Sequence, residues 1–173
     1  MSWSPILAVL LAATVLLANE ATAQPRKLGD FQSWTAVTVG EAAQKTCYAF
    51  ARVTRSEGVP NRTAQNVLLM VTHRPEGRDQ VSLRAGYNYP RDTAAGDPVQ
   101  VSVGGTALGF HTAQDTAFAR DGRAAVTALR NGRKAVARGP GPNGRGQASD
   151  TFPLAGFGQA HDAISRECPA PRR

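Results

Sequence analysis

The chain has 173 residues, 20 Lys and Arg against 13 Asp and Glu, a net charge of +7, and two Trp, three Tyr and six Phe. Such a charge attracts anions in general: nucleic acid, acidic glycans and anionic lipid head groups. With so few aromatics, most of them inside apolar runs, few platforms remain for stacking on nucleic acid, so no specific nucleic-acid binding is expected and at most a non-specific, salt-sensitive adhesion to polyanions.

The first stretch reads as a targeting signal. Ser4 to Leu17 is apolar, polar Asn19 and Glu20 follow, and Ala21-Thr22-Ala23 gives the small-x-small pattern that signal peptidase accepts. Cleavage is expected between Ala23 and Gln24. A membrane anchor is disfavoured, because the apolar run is shorter than the ~20 residues a span needs and no charged stop-transfer cluster follows. Residues 1–23 carry no Lys or Arg and one Glu, so the mature chain sets twenty basic groups against twelve acidic, a charge of +8. Its 150 residues suffice for one domain with its own core.

Gln24 to Asp30 is polar and reads as a flexible leader. Phe31 to Val39 is rich in aromatic and β-branched residues and predicts a strand, with Trp34 as a core anchor. Lys45 to Thr54 alternates, placing Cys47, Ala49, Ala51 and Val53 on one face. Arg55 to Gln65 reads as a loop. Asn66 to His73 is almost continuously apolar and predicts a central strand buried on both sides. Arg74-Pro75-Glu76-Gly77 turns the chain into a second alternating strand over Gln80 to Tyr89.

Gly104-Gly105 between Val99–Val103 and Thr106–Phe110 is a hairpin signal, since both turn positions need φ > 0. Gln114 to Phe118 reads as another short strand. Arg123 to Arg130 has Ala125, Val126 and Leu129 at helical spacing, and Asn131-Gly132 can end that helix in αL. Lys134 to Arg138 predicts a strand, Gly139 to Gly146 an exposed loop, and Ala148 to Leu154 a strand with Pro153 near its end or at an edge. Over Gly156 to Cys168, the residues Phe157, Ala160, His161, Ile164 and Cys168 form one helical stripe. No period of about 20–50 residues repeats, which excludes a solenoid.

About eight short strands, a short helix near 123–130 and a C-terminal helix near 156–167 predict an all-β sandwich spanning residues 31–168, with residues 169–173 as a frayed tail. Cys47 and Cys168 are the only cysteines. In an exported chain they predict one disulfide, with free thiols or a metal pair as the alternatives; no CxxC or CxxH spacing favours the metal.

Trp34, Cys47, the run Leu68-Leu69-Met70-Val71-Thr72-His73-Arg74-Pro75, Arg84-Ala85-Gly86-Tyr87, and above all the tail resemble the invasion-associated locus B family. Arg145-Gly146, Asp150-Thr151-Phe152, Leu154, Gly156-Phe157, Ala160 and Cys168 follow that family's closing pattern RGT…DTxSLxGFxxA…C, with Gln147 in place of Thr and Pro153 in place of Ser. The resemblance implies an immunoglobulin-like β-sandwich in the periplasm, on the outer membrane or secreted. It brings no catalytic activity and no cofactor. The family's founding members are linked to host-cell invasion, a virulence role that most relatives have no occasion to play.

The residues themselves offer little chemistry. His73, His111 and His161 lack HxH or HxxxH spacing, so no metal site is predicted; His73 reads as the end of a strand and His161 as the border of a helix stripe. Ser149, His161 and Asp150 or Asp162 supply the inventory of a hydrolase triad without a GxSxG elbow. Asp150-Thr151 reads as a brace for the last turn, pairing with backbone N–H groups or with Arg145. The resulting expectation is a non-enzymatic envelope protein acting by binding or adhesion to a protein or to a polyanionic envelope or host component. A periplasmic hydrolase with a cryptic site and a chaperone-like structural protein are the rival expectations.

Overall fold

A computed structural model describes residues 24–91 and 96–170; the expected signal segment and its cleavage point after Ala23 lie outside them. The strands are β1 Arg26–Phe31, β2 Trp34–Val39, β3 Thr46–Arg52, β4 Arg55–Glu57, β5 Leu68–Arg74, β6 Gly77–Arg84, β7 Val99–Val103, β8 Thr106–Ala113, β9 Thr116–Ala119, β10 Lys134–Pro140 and β11 Gln147–Pro153. Two helices complete the chain, α1 Gly122–Asn131 and α2 Phe157–Glu167. Among the described residues, no helix is long and apolar enough to cross a membrane.

All eleven strands belong to one antiparallel sheet, ordered β1-β2-β3-β5-β6-β9-β8-β7-β10-β11-β4. Only Val53 and Thr54 separate β3 from β4, so the last strand of the sheet is the direct continuation of its third. Thr54 N–H donates to Thr151 O at 2.9 Å across that seam. The sheet thereby folds over one core and forms the expected all-β sandwich, with the β1–β2 hairpin extending past the seam.

Alternation decides which side chains enter that core. Cys47, Ala49 and Ala51 of β3, Leu69 and Val71 of β5, and Val81 and Leu83 of β6 all point inward and are buried. At the β7–β8 turn, Gly104 and Gly105 have φ of 55° and 88°, as a two-residue hairpin of the twisted kind requires.

The stripe of α2 packs against β1, β2, β3 and β5, while α1 packs on β6 and β8 and touches α2. Trp34 is wholly buried, meets Phe157 edge-on at 4.8 Å, and donates its indole N–H to Pro153 O at 3.0 Å. Each large apolar side chain buried here contributes about 1.5–3 kcal/mol. Gly156 opens α2 at φ 89°, and a Cβ there would sit 1.8 Å from Phe31 O, so the Gly156-Phe157 pair admits no other first residue.

Several expectations are corrected. The supposed flexible leader forms β1 as far as Asp30, paired with β2; polar edge strands lack the apolar alternation by which buried ones are recognised. The loop after Thr54 contains β4, three exposed residues whose pairing with β11 is invisible locally. β11 is therefore flanked on both sides, and of the two expectations for Pro153 it is the strand end, not the edge, that holds. β5 is buried on its inner face, whereas Leu68 and Met70 are half-buried on the other. Gly132 is extended at φ −93°, not αL; its role is close packing, since a Cβ would lie 2.2 Å from Val103 Cγ1. Gly139 and Pro140 extend β10, and Gly139 and Gly141 are buried, leaving Pro142 to Gly146 as the surface turn.

Candidate functional site

Cys47 and Cys168 are joined in a disulfide, with Cα atoms 6.0 Å apart and 121 positions between them in sequence. The bond anchors the end of α2 to β3. Beside it lies a polar cluster built at an irregularity of the β5–β6 hairpin. Thr72 pairs with Gln80 and Arg74 with Gly77, so His73 faces two residues, Arg78 and Asp79, across a bulge. Bulges re-aim side chains. Here Asp79 takes φ 54°, a conformation Asp tolerates better than most residues.

Asp79 then does two things. Its backbone N–H donates to His73 Nδ1 at 3.1 Å, and its carboxylate Oδ1 lies 2.8 Å from His161 Nε2. On the far side of His161, Arg130 Nη2 approaches Nδ1 at 2.8 Å and also binds the Asp162 carboxylate. Guanidinium only donates, so His161 Nδ1 must accept and its proton resides on Nε2, facing Asp79. By the same reasoning, His73 carries its proton on Nε2 and donates to Ser165 Oγ at 3.0 Å. The two imidazoles meet edge-on, centroids 5.1 Å apart.

His73 is fully buried, and that burial, reinforced by the charge of Arg78, lowers its pKa to about 4. Arg130 in turn holds the Asp162 carboxyl below its usual value.

His73, Asp79 and His161 present three ligand atoms within 4.8 Å of one another, the spacing of a metal site. The donor chemistry does not fit one. Ligation through His73 Nδ1 displaces the Asp79 N–H, and ligation through His161 Nε2 requires the tautomer that Arg130 forbids. His111 does not join the set; it lies on the outer face of β8, stacked on Phe118 at 5.6 Å.

The hydrolase set is not assembled either. Both nitrogens of His161 are engaged by Arg130 and Asp79, Ser149 sits opposite Arg138 and Glu57 in the sheet, and Asp150 binds Arg62. Ser165–His73–Asp79 mimics a triad in residue type, but its proton lies between His73 and serine, so the serine accepts and is not activated.

Asp150 corrects another expectation. Its partner is Arg62, not Arg145: Arg62 Nη2 and Nη1 reach Oδ1 and Oδ2 at 2.7 and 2.9 Å, and Ser56 Oγ donates to Oδ1 at 2.6 Å. Both side chains of the pair are only 4% exposed. The Arg62 guanidinium lies over the Tyr87 ring, whose burial pushes its hydroxyl up to about 12. This ion pair ties the loop before β5 to β11. Arg145 and Gly146 stay in the exposed turn, where Gly146 O accepts from Gly141 N–H, and Thr151 serves through its backbone.

An open concavity lies on the other side of Asp79. It has a volume of about 680 Å³ and is formed by the β5–β6 turn, the outer face of β8 and β9, and the start of α1. Four arginines line it, Arg74, Arg78, Arg120 and Arg123, against two aspartates, Asp79 and Asp121. Asp79 is occupied by His161, and Asp121 caps α1 by accepting from Ala124 N–H at 2.9 Å. Gly122 is required at the rim: a Cβ there would lie 1.9 Å from Asp79 O.

Sequence reasoning missed Asp79, Arg130 and the arginine rim. No local signal marks them: Pro75 and Glu76 make a tight two-residue turn, and the bulge that re-aims Asp79 lies inside β6.

A family model described as invasion associated locus B protein matches residues 34–165 of the chain. No curated protein and no solved structure matches it.

Proposed function

The chain belongs to the invasion-associated locus B family, and from that premise we propose that it is an exported, non-enzymatic envelope protein that acts by binding an anionic partner. The observation carrying this reading is the contrast in the polar groups around Asp79. The histidine–serine–aspartate set has every ring nitrogen committed to an internal bond, while the adjoining concavity presents an excess of arginine to solvent. A cleft lined by one sign of charge concentrates ions of the other. The buried Cys47–Cys168 disulfide supports an oxidising compartment, in keeping with the signal-like first 23 residues. The same two features support a location in the periplasm, with or without attachment to the outer membrane.

The test is cell fractionation followed by cross-linking and recovery of the oxidised chain from intact envelope, repeated at about 1 M salt, where charges are screened beyond ~3 Å. A partner retained at high salt supports specific binding. Loss of every partner on adding salt reduces the basic surface to unspecific adhesion, and turnover of ester or peptide substrates by the purified chain overturns the non-enzymatic reading.

A further inference from the structure

We propose that the arginine-lined concavity is a site for a small organic anion with a flat ring, a carboxylate or phosphate ester that sets its charge among Arg74, Arg78, Arg120 and Arg123 and its ring against Phe118. The proposal rests on the anion-binding reading above and assigns a ligand class to that site.

The charge argument is one of partners. Arg120 is paired with Asp97 at 2.6 Å. Arg74 is bonded to the neutral Gln80 side chain, and Arg78 to the backbone carbonyl of Cys168. Among the described residues, Arg74, Arg78 and Arg123 have no carboxylate within 4 Å. Three arginines that line one cavity are therefore left with donors that face no carboxylate. Planar guanidinium forks match the oxygens of a carboxylate or phosphate two at a time. The capped N-terminus of α1 adds little, because Asp121 already occupies it.

The ring argument comes from sheet register. Phe118 pairs with Ser82 on one side and His111 on the other, so it stands on the outer face of the sheet and not in the core. Phe118 and His111 are both only half-buried, stack on one another with their planes 28° apart, and both line the cavity, so its wall carries aromatic surface. A cavity of about 680 Å³ holds a ring with its charged substituent and lies in the usual range for small-molecule sites.

Calorimetric titration of the oxidised mature chain with phenyl phosphate, inorganic phosphate and phenol separates charge from ring. Phenyl phosphate should bind about tenfold more tightly than phosphate, and phenol should give no saturable heat. The double variant Arg74→Gln/Arg123→Gln should weaken phenyl phosphate by at least about tenfold. Phe118→Leu should erase the preference for phenyl phosphate over phosphate while leaving phosphate binding in place; thermal melts verify that both variants fold. Equal binding of the two phosphates, no binding of phenyl phosphate, or affinities untouched by the variants overturns the proposal. If it fails while a salt-resistant envelope partner persists, the ligand class falls and the binding function stands.

Discussion

Two neighbouring polar regions meet at Asp79 and are built on opposite plans. On one side, His73, His161, Ser165 and Arg130 satisfy one another around two buried imidazoles and connect the β5–β6 hairpin to both helices. On the other, arginines stand half or fully exposed around a cavity with too few carboxylates to neutralise them. The first arrangement resembles a catalytic centre by residue type but stabilises the fold. The second leaves guanidinium donors without a carboxylate partner, and it is there that a ligand is proposed to bind. What separates them is whether donors and acceptors are already matched inside the protein, which residue identity does not reveal.

The contrast can be broken most strongly at the disulfide that closes the first region. Cys168→Ser should cost about 4–5 kcal/mol under oxidising conditions, since it releases a loop spanning 121 positions in the unfolded chain. Denaturant titration of both forms measures this, and equal stabilities in oxidising buffer refute it.

Acidification should act next. The native pKa of His73, about 4, lies below its ordinary value near 6.5. The unfolded chain therefore takes up a proton that the folded one refuses, so this contribution is complete above pH ~6.5 and is lost as pH falls toward 4. The loss should be on the order of 2–3 kcal/mol and should disappear in His73→Gln, as read from melts across that range.

Ser165→Ala removes the acceptor of the His73 proton and should cost about 1–2 kcal/mol, visible as a lower denaturant midpoint with unchanged slope. Arg74→Gln and Arg123→Gln, on the other side of Asp79, should each shift stability by less than about 0.5 kcal/mol in the same assay. A large loss from either arginine would erase the distinction between the two regions.

Much of this molecule is legible without coordinates. Strict alternation identifies β3 and the inner face of β6, the Gly104-Gly105 pair announces its hairpin, and the apolar stripe from Phe157 to Cys168 identifies α2. The tail motif points to the family. Residues of β1 and β4 escape notice because edge strands need not carry an apolar face, and the partner of β4, β11, is distant in sequence.

The sequence by itself determined the all-β class, the positions of both helices, the cysteine pair and the excess of basic charge, because each depends on local periodicity or on composition. Only the tertiary structure decided what the polar residues do. Asp150 meets Arg62 across 88 positions and not the nearby Arg145, and His161 meets Asp79 across 82. Four arginines from two hairpins and a helix share one cavity. Hydrogen bonds and ion pairs act over a few ångströms in space, so their partners are chosen by how the elements pack, which no local pattern encodes.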